Sequence, residues 1–292
     1  MQNAIPAILI AVLATTARLP PAEAAPTVEH WNLPGISSPM WESHPAIDPL
    51  TGDLWFVRSD KKFSGWRILV SHCDKGNWSD PKPWRFARAG LEADPYFTPD
   101  GRTLYFISTR AIGAGTSAAL DIWVAHRDAK NAWSVPERLP VPVNSPEAEW
   151  FPRPAPDGWL YFGSRRDGGM GKDDIWRARQ GAQGQWVVEN AGLGLNSADA
   201  EYEFQPAPDG KWGVLATDKG LFRIEKGKAG WERREKFGPQ INADTSGIGP
   251  MIAPSGRSFV FSRDAGGDRS GELFAVHLDG TAKWPPVCVG RP

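Results

Sequence analysis

The sequence predicts an all-β fold, a ring of four-stranded sheets, and three observations point there. The 292 residues include 31 Gly and 27 Pro, enough turn formers to separate many short strands. They include 15 Trp, a supply of large anchors for packing between sheets. A segment ending in a Pro-Asp-Gly turn or a variant of it recurs along the chain, and a period of about 50 residues is the mark of a repeat architecture. Charge excludes other classes. With 33 Lys+Arg against 34 Asp+Glu the net charge is −1, so no basic stripe for nucleic acid is expected. Charged residues at 23% and hydrophobic residues at 41% exclude global disorder.

Residues 1–24 read as a signal peptide. The apolar run over residues 4–17 is followed by Arg18, two prolines and Ala22-Glu23-Ala24-Ala25, an A-x-A site cut after Ala24. The run is shorter than the roughly 20 residues that span a bilayer, and no later segment approaches that length. The expectation is export to the periplasm or medium, with no membrane span after cleavage. Residues 25–40 then form an N-terminal strand segment, a candidate clasp for the ring, and residues 41–292 form the repeats.

Each repeat predicts four strands. The inner strand and its turn are Glu92-Ala-Asp-Pro-Tyr-Phe-Thr-Pro-Asp-Gly101, then Glu149-Trp-Phe-Pro-Arg-Pro-Ala-Pro-Asp-Gly158, then Glu201-Tyr-Glu-Phe-Gln-Pro-Ala-Pro-Asp-Gly210. Looser copies run from Glu42 to Gly52 and from Gly249 to Gly256. Proline presets φ in these turns and glycine accepts a positive one. The turn glycines are spaced 49, 57, 52 and 46 apart. An aromatic second strand follows, such as Leu160-Tyr-Phe162. A Gly-rich loop leads to a third strand, such as Asp121-Ile-Trp-Val124 or Asp174-Ile-Trp-Arg177, and a Trp closes the unit: Trp78, Trp133, Trp186, Trp231 and Trp284. A four-stranded unit repeated in this way predicts a β-propeller with five blades visible and a sixth left open.

The pattern E-x-x-P…P-D-G-x-x-L-Y-F…S-x-R…G-G-x-G-x-x-D-I-W resembles the WD40-like (PD40) repeat of TolB-type periplasmic propellers. Residues 158–176 match best, with Ser164, Arg166, Gly168, Gly169, Gly171, Asp174, Ile175 and Trp176 in place. The resemblance covers about residues 41–292 and implies an envelope propeller acting as a binding scaffold. TolB has six blades and a further N-terminal domain, so its partners do not transfer.

Candidate site residues come from the repeat. Glu42, Glu92, Glu149 and Glu201 occupy one position, with Gly247 in the fifth repeat, and His44 follows Glu42. A ring would place them near one mouth of the channel, where gathered carboxylates attract a cation or a basic partner. The competing expectation is that each glutamate braces its own loop. Asn144, Asn196 and Asn242 are expected as turn residues, and Asp121 and Asp174 as partners of Arg110 and Arg166. His72, His126 and His277 fall on different blades and cannot converge on a metal. Cys73 and Cys288 are expected as two unpaired thiols, a clasping disulfide being the alternative.

No catalytic residue, metal or cofactor is predicted. The expected function is a non-catalytic scaffold binding an envelope or periplasmic protein, or a glycan. The alternative is a carbohydrate-active hydrolase using channel-mouth carboxylates; against it, the glutamates are equivalent across repeats and nonrepeating acidic residues are few.

Overall fold

The computed structural model describes residues 25–111, 119–266, 271–279, 284–285 and 288. The expected signal segment, residues 1–24, lies outside them. All described regular structure is β, in five four-stranded antiparallel sheets and one small hairpin.

The chain starts with β1 (Thr27–His30). Blade one follows: β2 (Trp41–Ile47), β3 (Leu54–Ser59), β4 (Arg67–Ser71), the hairpin β5 (Cys73–Asp74) and β6 (Asn77–Trp78), then β7 (Lys82–Pro83). Blade two has β8 (Glu92–Phe97), β9 (Thr103–Ser108), β10 (Asp121–His126) and β11 (Glu137–Arg138). Blade three has β12 (Glu149–Pro154), β13 (Leu160–Ser164), β14 (Asp174–Gln180) and β15 (Trp186–Asn190). Blade four has β16 (Glu201–Pro206), β17 (Trp212–Thr217), β18 (Gly220–Lys226) and β19 (Trp231–Lys236). Blade five has β20 (Ile248–Ile252), β21 (Ser258–Asp264) and β22 (Gly271–His277), and its outer strand is β1, paired antiparallel with β22. The ring thus closes on five blades, with its first strand completing the last sheet. The Trp284 segment, expected as a blade-ending strand, is displaced from that role by β1. Of it, Trp284 and Pro285 are described, and neither is in a strand.

Apolar side chains from adjacent blades fill the wedges. Ile122 and Val124 of blade two pack with Phe162 and Trp176 of blade three, all buried. Each such side chain contributes roughly 1.5–3 kcal/mol when removed from water. Trp231 is buried against Phe204 and donates its indole N–H to the Tyr161 hydroxyl, 3.0 Å away.

Cys73 and Cys288 are bonded, with Cα atoms 5.3 Å apart, which corrects the expectation of free thiols. That expectation placed Cys73 along blade one. The chain instead leaves β4 and turns into the β5–β6 hairpin, which carries Cys73 to the C-terminal segment.

Candidate functional site

All five inner strands share one irregularity. Register shifts fall between Ser43 and Ala46, Ala93 and Tyr96, Trp150 and Arg153, Glu201 and Glu203, and Ile248 and Met251. The motif explains the shared place: in four copies of E-x-x-P and its variants, proline lacks the N–H for the ladder, so the strand bulges. The residue before that proline has positive φ in His44 (48°), Asp94 (56°), Phe151 (52°) and Gly249 (63°). Blade four has Phe204 in place of the proline, and there the bulge leads to Glu203. Left-handed backbone at a residue with a side chain costs on the order of 1–3 kcal/mol and collects at functional sites.

The bulges set two rings of side chains two residues apart. The first holds the predicted glutamates, and each is buried in bonds to its own blade. Glu42 accepts from the Ser38 amide and hydroxyl and from Arg58 Nε at 2.7 Å. Glu92 accepts from the Arg88 amide, Trp84 Nε1 and Arg110. Glu149 accepts from the Ser145 amide and hydroxyl, Ser164 Oγ and Arg166 Nη2. Glu201 accepts from the Ser197 amide and hydroxyl and from Arg234 Nη1 at 2.9 Å. Burial pushes the Glu42 and Glu149 carboxyls upward, against the hydroxyl and guanidinium bonds that hold them ionised. These carboxylates pin the loop leading into each inner strand, and none lines the channel-mouth cavity.

The second ring is the bulge position in four blades, His44, Asp94, Phe151 and Gly249, and in blade four Glu203, the residue just past its bulge. Three polar members meet at the channel axis, all more than nine-tenths buried. His44 Nε2 lies 2.8 Å from Glu203 Oε1 and 3.3 Å from Asp94 Oδ1, and its Nδ1 lies 2.8 Å from Ser43 Oγ. The other carboxylate oxygens accept bulge amides of the next blade, Asp94 from Phe151 at 2.7 Å and Glu203 from Gly249 at 2.6 Å. Gly249 is required here, because a Cβ would stand 2.7 Å from the His44 amide nitrogen. Burial alone would lower the His44 pKa; the Asp94 and Glu203 charges outweigh it and raise the value. Burial raises the Asp94 pKa.

Beneath this ring lie Tyr96, Arg153 and Gln205, which line a second cavity on the far side of the floor. Arg153 is 1% exposed, with its guanidinium 3.6 Å from the Phe151 ring centre and Nε donating to Gln205 Oε1 at 2.8 Å. Burial drops its pKa to about 10, which leaves it cationic at neutral pH.

Above the polar floor opens a cavity of about 400 Å³. Phe63 and Trp66 form part of its wall, Trp150 and Tyr202 another, with Arg165 also in the lining. The loop carrying the first pair is held by Asp60, which accepts the amides of Lys62 and Ser64 at 2.9 Å each. Trp66 Nε1 donates to the Phe63 carbonyl at 2.8 Å. Trp150 Nε1 donates to the Tyr202 carbonyl at 2.6 Å, tying blade three to blade four.

Of the predicted site residues, then, the structure brings His44 into the cavity and keeps Glu42, Glu92, Glu149 and Glu201 in the blades. Asp94 and Glu203 are the nonrepeating acidic residues that the sequence reading counted as scarce. Their signal was present: the residue two places after the repeated glutamate, or after Gly247, differs in every repeat. Asn144, Asn196 and Asn242 reach further than a turn, each bonding both backbone groups of a third-strand residue, Ile122, Ile175 and Leu221. The expected Asp121–Arg110 and Asp174–Arg166 pairs do not form, because the glutamates take both arginines. Asp121 pairs with Arg138 instead, and Asp174 accepts the Met170 and Gly171 amides. His72, His126 and His277 sit apart at strand ends, His72 against Asp53 and His277 against Glu29.

No family model and no curated protein matches this sequence. Solved structures do. A family 117 glycoside hydrolase of Zobellia galactanivorans aligns at 11% identity over 90% of this chain and 94% of its own, with a TM-score of 0.54. A provisionally assigned TolB of Agrobacterium tumefaciens aligns at 15% identity over 82% and 77%, with a TM-score of 0.49. A gluconolactonase of Xanthomonas campestris aligns at 12% over 87% and 94%, also at 0.49. The Zobellia alignment, at 11% identity, reports a shared fold alone.

Proposed function

We propose that this chain is an exported, non-catalytic propeller of the PD40 type that binds an envelope component, protein or glycan, through the cavity at its channel mouth. One observation carries the reading. Two residues past the repeated glutamate, or Gly247, the five blades hold His44, Asp94, Phe151, Glu203 and Gly249, five different residues at or beside a bulge that every inner strand makes. A residue that recurs in every blade serves the blade; residues that diverge at an equivalent place are free to serve a ligand. Three of these are polar, buried and gathered beneath aromatic walls, which is the composition of a small-ligand pocket. Export is supported by the reading of residues 1–24 and by the Cys73–Cys288 bond, which fits an oxidising compartment.

Hydrogen exchange of the protein with fractions of envelope extract tests the site. Protection is expected in peptides covering residues 60–66 and 148–151, and its loss in Trp66→Ala. Protection confined to the opposite mouth, around Pro99, Pro208 and Pro254, would move the site there.

A second reading, glycoside hydrolysis, is favoured by the pairing of two nonrepeating carboxylates on one imidazole, with Asp94 held toward its protonated form by burial. Asp94 would serve as the acid and Glu203 as its partner. Sugar release from a glycan, abolished by both Asp94→Asn and Glu203→Gln, would establish it.

A further inference from the structure

We infer that the mouth cavity receives a single uncharged sugar ring at the end of a glycan, an inference resting on the cavity being the ligand site. Three features of the cavity narrow the ligand.

The first is its mixed surface. Phe63, Trp66, Trp150 and Tyr202 present aromatic surface, while Asp94, Glu203 and His44 sit at the floor. A pyranose ring matches both parts, since its C–H faces pack on aromatic rings and its hydroxyl edge needs hydrogen-bond partners. Carboxylate oxygens have lone pairs beyond the single bond each makes to an amide or to His44. Hydroxyls donating to them form charge-assisted bonds away from bulk water.

The second is charge. The Asp94 and Glu203 carboxyls face His44 at 3.3 and 2.8 Å, and cationic Arg153 lies one layer down. At the rim Arg165 is paired with Asp173 at 2.6 Å. An organic cation, which aromatic walls alone would suit, meets a floor whose carboxyls are already engaged by His44 and backed by the Arg153 charge. An acidic sugar meets two carboxylates. A neutral ring meets neither penalty.

The third is depth. The cavity shares no lining residue with the one under the floor, and buried Arg153 and Gln205 lie between them, so the mouth cavity is a dead end for a polymer. Its volume of about 400 Å³ is near the lower limit of ligand pockets, roughly 300–1,000 Å³. Both facts select a chain terminus over an internal segment.

The test is calorimetric titration of the full chain after any signal cleavage. The probes are neutral methyl hexopyranosides and methyl pentopyranosides, glucuronate and galacturonate, and tetramethylammonium chloride. At least one neutral glycoside should bind with a Kd of about 1 mM or tighter. Trp66→Ala and Glu203→Gln, each checked for a folded circular dichroism spectrum, should each weaken it at least tenfold. The uronates and the ammonium salt should bind at least tenfold more weakly. A Trp66-dependent preference for tetramethylammonium or for a uronate would overturn the sugar assignment and leave the cavity as the ligand site. Sugar binding untouched by both variants would overturn the location as well. No binding by any neutral glycoside would overturn the inference, while the exchange footprint at residues 60–66 separately decides whether the cavity is a site at all.

Discussion

Two rings of side chains, set two residues apart on the same inner strands, do opposite things. The Glu42, Glu92, Glu149 and Glu201 ring repeats one residue and one set of bonds to Ser or Arg and the leading loop. The His44, Asp94, Phe151, Glu203 and Gly249 ring changes the residue at each blade, and four of the five share a left-handed backbone. The first ring is architecture; the second is where this propeller differs from a generic one. In a repeat protein, then, a recurring charged residue points to the blade, and a varying residue beside a recurring backbone irregularity is the candidate for the proposed site.

The comparison breaks first at Glu149. Glu149→Ala leaves the Arg166 guanidinium buried without its carboxylate and frees the Ser145 loop. Removing one partner of a buried pair costs about 3–5 kcal/mol, to be read as a drop in the urea midpoint of unfolding.

Cutting the clasp comes next. The Cys73–Cys288 bond joins residues 215 apart and ties the last segment to blade one. Cys288→Ser should cost about 2–4 kcal/mol, and dithiothreitol should destabilise the parent protein while leaving the variant unchanged.

The second ring should show itself in pH. His44 has its pKa raised above the unfolded value of 6.5 by the Asp94 and Glu203 charges, despite burial that opposes it. Its folded form binds the proton more tightly, so its stabilising contribution is complete below pH 6.5 and fades as pH rises through the folded pKa. Unfolding free energy should therefore decline from pH 6 toward pH 8, and His44→Gln should flatten that decline. The titratable groups that face His44 are Asp94, Glu203 and Arg153. The smallest effect belongs to the surface: Lys219→Ala removes an exposed pair with Asp199 and should leave the melting temperature unchanged within error.

Much of the first ring was legible in the sequence, because repetition exposes it. The P-D-G turns gave the blade count, and the E-x-x-P spacing located every inner strand. The bracing of each glutamate by its leading loop was also foreseeable, since a residue present in four of five copies is best explained by what the copies share. The second ring was harder to read. His44, Asp94 and Glu203 lie 50 and 109 residues apart in the chain, and only closure of the ring brings blades one, two and four to one point. Phe63 and Trp66 come from a loop of blade one without counterparts in the repeat, so no internal alignment points to them. The disulfide escaped because the chain turns out of β4 into the β5–β6 hairpin, which carries Cys73 away from the line of the third strand.

The most direct test sets Glu149→Ala beside Glu203→Gln and measures, for each, the melting temperature and its rise on adding the neutral glycoside that binds best. Glu203→Gln should melt close to the parent, within about 1 kcal/mol, because glutamine keeps the shape and an oxygen to accept the Gly249 amide. It should lose the glycoside-induced rise. Glu149→Ala should melt well below the parent and keep the rise. The opposite pattern, a stable Glu149→Ala that no longer responds beside an unstable Glu203→Gln that does, would contradict the division between the two rings.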